Sequence, residues 1–243
     1  MSPQGLPAAA STSTDLGLAA PPVGEAQPVH GSHHGHHGHH HPKAISPTVW
    51  SLIGWVRWAV AQPAYDGPIS DPNGENCALG QQGPVWYLAG TWGGPVERTC
   101  DIPLGKHLVF PLVNNWCVFP DEYYASEEEI EETIPLLDAY YAEQYPTICS
   151  LTLRVDGQDL RPDLESLRED TYIETLEPFE VELNEAHWAP DYFEGGVMPA
   201  IGFGHYAKLK PLPPGDHVIE FGGEFCGESP FSTSAVYHLH VGP

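Results

Sequence analysis

The sequence predicts an all-β body, an antiparallel β-sandwich or jelly roll with one or two packed helices, behind a disordered N-terminal tail. Three observations predict it. The 243 residues include 25 Gly and 26 Pro, a composition that suits short strands joined by turns better than long helices. Apolar runs recur at short intervals, and many stop at Gly or Pro. In Ala200–Lys210, Ile201, Phe203, His205, Ala207 and Leu209 alternate with Gly202, Gly204, Tyr206, Lys208 and Lys210, the period of two of a half-buried strand.

Taken in order, residues 1–46 form the tail. They carry no aromatic and almost no large aliphatic side chains, so they cannot bury enough apolar surface to offset the entropy of ordering. The β-sandwich domain is expected over 47–243. It opens with a helix in which Trp50, Leu52, Ile53, Trp55, Val56 and Trp58 crowd one stretch between Pro47 and Pro63. Those prolines suit a start and a stop, and the Trp side chains would dock the helix on the body. Asp66–Gly83 is turn-rich, with Asp71-Pro72-Asn73-Gly74 its strongest signal. Strand-like runs follow at Pro84–Thr91, Val96–Cys100, His107–Asn114, Ser150–Val155, Phe179–Asn184, Ala200–Lys210, His217–Phe221 and Thr233–Val241. Pro84–Leu88 is apolar on both faces, which predicts a central strand. One helix interrupts the series: Ser126 and Glu129 form a capping box, and Ile130, Ile134, Leu137 and Tyr141 recur at helical spacing. Pro135 is expected to kink it or delay its start.

Charge excludes some functions. Nine Lys and Arg face 33 Asp and Glu, a net charge of −24, so no basic field exists to draw nucleic acid or an anionic membrane surface. No apolar run approaches the ~18 residues that span a bilayer, and the first thirty residues show no ordinary signal peptide. Copies repel one another at low salt, and screening or divalent cations would permit self-association.

Asp71–Gly90 (DPNGENCALGQQGPVWYLAG), Arg98-Thr99-Cys100 and Pro103-Leu104-Gly105-Lys106 together resemble a group of uncharacterised bacterial proteins. Their members are similar in a Trp-rich start, a C-x-x-G-Q-x-G-P-V-W-x-L-A-G stretch and a cysteine-bearing strand. Leu209–Gly223 and Tyr237-His238-Leu239 extend the resemblance across residues 48–243. It implies a β-rich, usually exported protein and carries no activity or catalytic residue.

The chemically richest feature is the tract His30–His41, HGSHHGHHGHHH, with eight of the fourteen histidines. Neutral imidazoles on a flexible chain can converge on Zn²⁺, Ni²⁺ or Cu²⁺, so His33, His34, His36, His37, His39, His40 and His41 are candidate ligands for labile binding. A solvated linker and a purification-tag remnant are the competing readings. His238 and His240 sit two apart on one strand face, with side-chain bases about 7 Å apart, close enough to share a metal. His205 falls on an apolar face and joins a metal site only if the fold brings it to His238, His240 or Glu224. His187 lies in a loop-like stretch with Glu185 and Asp191. Trp86, Tyr87, Trp92 and Trp116 are candidates for an aromatic platform. Asp71-x-Asn73-x-Glu75 fails as a calcium loop, since its sixth and twelfth positions are Asn76 and Gln82.

Cys77, Cys100 and Cys117 flank consecutive strands, a plausible place for a disulfide, and the odd total of five leaves one thiol free or shared between chains. Buried inert thiols are the equal alternative. The preferred function is a non-catalytic binding protein whose tail takes up transition metals. The alternative is a metal-dependent enzyme, of hydrolase or lyase type, using His205, His238 and His240 with Glu224 or Glu220 as acid/base.

Overall fold

Two five-stranded sheets and three helices make up the described chain. The computed structural model describes residues 44–124, 126–161, 163–227 and 230–243. The histidine tract at 30–41 therefore lies outside the described residues.

One sheet is built on β8 (Gly196–Leu209), which pairs with β4 (His107–Val118) on one side. On its other side β8 meets β7 (Tyr172–Leu183) and the two-residue β1 (Ala44–Ile45). The short β2 (Val85–Tyr87) adds to β4 at the sheet edge. The second sheet runs β3 (Gly94–Pro103), β10 (Phe231–Gly242), β9 (Gly215–Phe225), β5 (Ile148–Val155), β6 (Gln158–Asp159). All eight expected runs contain a strand, although Pro84–Thr91 holds only the three residues of β2.

Two expectations are corrected. The sheets are not wholly antiparallel, because β2 runs parallel to β4 and β3 parallel to β10. The chain leaves β2 for the second sheet, forms β3 there, and returns to lay β4 beside β2. Val85–Tyr87 is consequently an edge strand rather than a central one. Its two faces are apolar because both are covered: Trp86 enters the core between the sheets, and Val85 and Tyr87 pack under the first helix.

Among the described residues there are three α-helices, where one or two were expected. α1 (Val49–Val60) starts at Thr48 and buries Leu52, Trp55, Val56 and Trp58, while Trp50 stays in solvent. α2 (Glu127–Gln144) has Ser126 as its cap, accepting from the Glu129 N–H at 3.3 Å, and runs on through Pro135. Its Ile130 and Ile134 pack on Phe119 and Ile201. The unexpected α3 (Leu164–Thr171) is capped by Asp163, which accepts from the Ser166 N–H at 2.8 Å.

The main core lies where the sheets face each other. The rings of Phe110 of β4 and Phe221 of β9 pack at a tilt with centroids 4.5 Å apart, and Leu108, Leu112, Ile219, Tyr237 and Leu239 join them in one cluster. On β10 the alternation is strict, with Ala235, Tyr237, Leu239 and Val241 inward and His238 and His240 outward. Period two also puts Arg98 inward on β3, between Val96 and Cys100. Two disulfides brace the body: Cys77–Cys100, with Cα atoms 6.0 Å apart, and Cys149–Cys226, at 5.8 Å. Cys117 is the free thiol.

Candidate functional site

The two sheets separate the histidines that the metal-enzyme reading needs together. His205 sits on β8, whereas His238 and His240 point outward from β10 in the other sheet. Each of the outward pair holds its own carboxylate: His238 Nε2 lies 2.6 Å from Glu97 Oε1, and His240 Nδ1 lies 2.7 Å from Asp216 Oδ1. His217 is likewise tied to Asp156, at 2.9 Å. The hydrogen bond and charge of Asp216 raise the His240 pKa above its usual value. The His238 and His240 pairs cross-link neighbouring strands and leave each of these two histidines with one engaged nitrogen.

Among the described residues one cluster has metal-ligand composition, Cys149, Glu224 and Cys226, with ligand atoms within 4.8 Å of one another. The Cys149 and Cys226 sulfurs are bonded to each other, so neither offers a thiolate in this state. Glu220, the other acid/base candidate, accepts from Arg154 Nη1 at 3.1 Å. The Cys117 thiol is pushed up to about 11 by burial, so it stays protonated and weakly nucleophilic.

His187 is a loop brace. Its side chain is buried; Nδ1 accepts from the Ala189 N–H at 3.2 Å, and Nε2 is then the protonated nitrogen that donates to the Phe193 carbonyl at 3.0 Å. Both nitrogens are spent, leaving none for a ligand.

The aromatic candidates divide. Trp86 and Tyr87 belong to the interior, Tyr87 stacking on Trp58 at 5.6 Å. Trp92 and Trp116 do meet, at 6.2 Å, and Trp188, which the sequence did not single out, packs on Trp116 at 4.6 Å. With Trp58, Ala64 and Ile69 these rings line a shallow cleft that opens to solvent. Trp92 is 46% exposed, and its indole N–H donates to Ser70 Oγ at 3.0 Å, which fixes the ring.

Beneath the cleft lies the residue that sequence reasoning most clearly missed. Arg98 is 2% exposed. Its Nε donates to the Asp71 carbonyl at 2.7 Å, Nη1 to the Ala89 carbonyl at 2.7 Å and to Tyr237 Oη at 2.8 Å, and Nη2 to the Ile69 carbonyl at 2.9 Å. Asp71 supplies the nearby negative charge. Its Oδ1 accepts from the Asn73 and Gly74 N–H groups and Oδ2 from that of Asn76, at 2.7–3.0 Å. Burial would raise the Asp71 carboxyl, but the three N–H groups and Arg98 outweigh it and hold it below the usual range. The turn foreseen at Asp71-Pro72-Asn73-Gly74 is therefore the collar of a buried cation. The available signal was the inward position of Arg98 in the β3 alternation.

His205 is 1% exposed. Its Nδ1 lies 2.9 Å from Thr171 Oγ1, and the rings of Tyr145 and Tyr172 pack against it at 5.5 and 5.7 Å. Desolvation, helped by Arg168, lowers its pKa from 6.5 to about 4. A depressed histidine pKa means the unfolded chain takes up a proton that the folded chain refuses. Stability is thus full above pH 6.5 and falls as the pH drops toward 4, by on the order of 3 kcal/mol. Urea midpoints of the wild type and His205→Gln at pH 7 and pH 4.5 check this. The wild type is expected to lose more stability than the variant, and equal losses would refute the assignment.

Compared with protein-family models, with curated proteins and with solved structures, the chain matches none.

Proposed function

We propose that this is a non-catalytic binding protein whose histidine tract takes up divalent transition metals (Zn²⁺, Ni²⁺ or Cu²⁺) and whose two-sheet body, read as a β-sandwich, is a rigid, disulfide-braced carrier. The observation that carries the reading is the tract itself: eight imidazoles in HGSHHGHHGHHH, interrupted only by Gly and Ser. Such spacing allows several rings to close on one ion in many alternative sets, which gives capacity and fast exchange. The body supports a carrier role because its outward histidines already hold carboxylates, and its close Cys/Glu cluster is closed by a disulfide. Two disulfides also suit an oxidising compartment, and the surplus of carboxylates concentrates cations around the chain. The metal-enzyme reading draws no support from His205, His238 and His240, which lie on different sheets.

Zn²⁺ titration by calorimetry at pH 7.5 tests the proposal. The full chain is expected to bind more than one Zn²⁺ with fast exchange. A full-length variant with His33, His34, His36, His37, His39, His40 and His41 changed to Asn is expected to lose most of that uptake. Ions should leave the wild type as the pH falls through about 6.5, where free imidazoles protonate. Unchanged stoichiometry in the variant would overturn the proposal.

A further inference from the structure

The two disulfides differ in setting. Cys77–Cys100 reaches into the core, where Cys100 is 2% exposed. Cys149 and Cys226 are both exposed, and the exposed carboxylate of Glu224 stands with them. Their three ligand atoms lie within 4.8 Å of one another, and among the described residues no other trio of His, Cys, Asp or Glu comes so close.

The backbone explains the grouping. β5 and β9 pair Ile148 with Phe225 and then Ser150 with Glu224, so Cys149 is an extra residue with no partner on β9. Such a bulge re-aims a side chain out of the ordinary alternation, and Cys149 Sγ comes to 3.6 Å from the Glu224 carbonyl oxygen. Cys226 follows the end of β9, and its N–H donates to the Thr147 carbonyl at 2.8 Å. From Ser150 to Val155 the ladder with β9 runs on without the sulfurs. Main-chain hydrogen bonds thus keep the two cysteines neighbours, with Cα atoms 5.8 Å apart, whether or not their sulfurs are joined.

We propose that this disulfide gates a metal site: once reduced, Cys149, Cys226 and Glu224 present two thiolates and a carboxylate to one Zn²⁺-like ion. The reductant is a dithiol. One of its thiolates attacks an exposed sulfur, the Cys149–Cys226 bond breaks, and a mixed disulfide forms. Its second thiolate then displaces the protein sulfur. The dithiol ends oxidised to a disulfide, and the protein has gained two electrons and two protons as two thiols. Zn²⁺ forms two Zn–S bonds and one Zn–O bond and releases both thiol protons to solvent. Two thiolates on a tetrahedral zinc stand about 3.8 Å apart, given Zn–S bonds of about 2.3 Å. Side-chain rotation supplies that separation at this Cα spacing. Three protein ligands leave the fourth position to water, and soft sulfur selects Zn²⁺ over Mg²⁺ or Ca²⁺. The gate needs no ligand from the histidine tract.

Co²⁺ titration of the full-length protein reads the thiolates directly, because sulfur ligands give cobalt a strong near-ultraviolet charge-transfer band and imidazoles do not. The protein is reduced with dithiothreitol under native conditions, freed of it without oxygen, and compared with the oxidised protein. Reduced wild type is expected to develop the band up to one Co²⁺ per chain, and oxidised wild type to show none. Cys149→Ser/Cys226→Ser treated alike should lack the band, which excludes Cys77, Cys100 and Cys117 as its source. Glu224→Gln should bind Co²⁺ roughly tenfold more weakly, having lost one anionic ligand. No band in the reduced wild type, a band kept by the double serine variant, or unchanged affinity in Glu224→Gln would each overturn the site. The oxidised–reduced comparison uses wild type alone, so it decides even if a variant does not fold. Changing the tract histidines to Asn should leave the band intact, so failure of the tract and failure of the gate are separately visible.

Discussion

Arg98→Met is expected to lower folding stability by about 3–5 kcal/mol, the cost of removing one side of a buried ionic and hydrogen-bonded network. Methionine approximates the length of the arginine stem, so little volume is lost. What is lost is every bond from Arg98 to the Asp71, Ala89, Gly90 and Ile69 carbonyls and to Tyr237 Oη, while Ala89 and Tyr237 keep their bonds to each other. Those acceptors stay buried, each without its charged donor, and the Asp71 carboxylate loses its neighbouring cation. Arg98→Lys is expected to recover less than half of the loss. A single ammonium offers three donors from one point, whereas the guanidinium reaches its acceptors as a planar fork. Domains are held by only about 5–15 kcal/mol, so the methionine variant should lie near the edge of folding. The measurement is urea unfolding followed by Trp fluorescence. A large fall in midpoint at constant slope is the expected result, and a midpoint within error of wild type would show that the network carries no net stability.

The second large effect concerns Cys149–Cys226. These residues are 77 apart in sequence and both are exposed, so replacing them with serine creates no cavity and buries no hydroxyl. The effect reads the loop constraint on the unfolded chain, about 4 kcal/mol for a loop of this length in the chain-entropy model. For a body of this size that corresponds to a fall in Tm of about 10 °C. Cys149→Ser/Cys226→Ser, heated without reductant, checks it. A Tm unchanged from wild type would mean that the two sulfurs are not joined in solution.

Much of the secondary structure was legible because it rests on local preferences. Alternation marked β8 as a strand, although its central place buries both faces from Ala200 to Ala207 rather than one, and Ser126 with Glu129 marked the start of α2. The short α3 escaped because its apolar content is small, although Asp163 caps it in the ordinary way. Candidate sites were far less legible. The sequence sets His205 on an apolar face apart from His238 and His240, but not the partners they take: Thr171 for the buried His205, and Glu97 and Asp216 for the two that face solvent. Trp188 joined the aromatic cleft only because the loop carrying it folds back on Trp116.

By itself the sequence determined where the eight longer strands fall, the starts of α1 and α2, the acidity and the concentration of imidazoles near the N-terminus, since each depends on residues a few positions apart or on composition alone. The tertiary structure decided which strands pair, and with them the parallel contacts of β2 with β4 and β3 with β10, the partner of each cysteine, the burial of Arg98 and the place of Glu224 beside Cys149 and Cys226. Those depend on contacts such as Arg98 to Tyr237, 139 residues apart. No local preference encodes such a contact, because it exists only once both sheets have closed on their shared core.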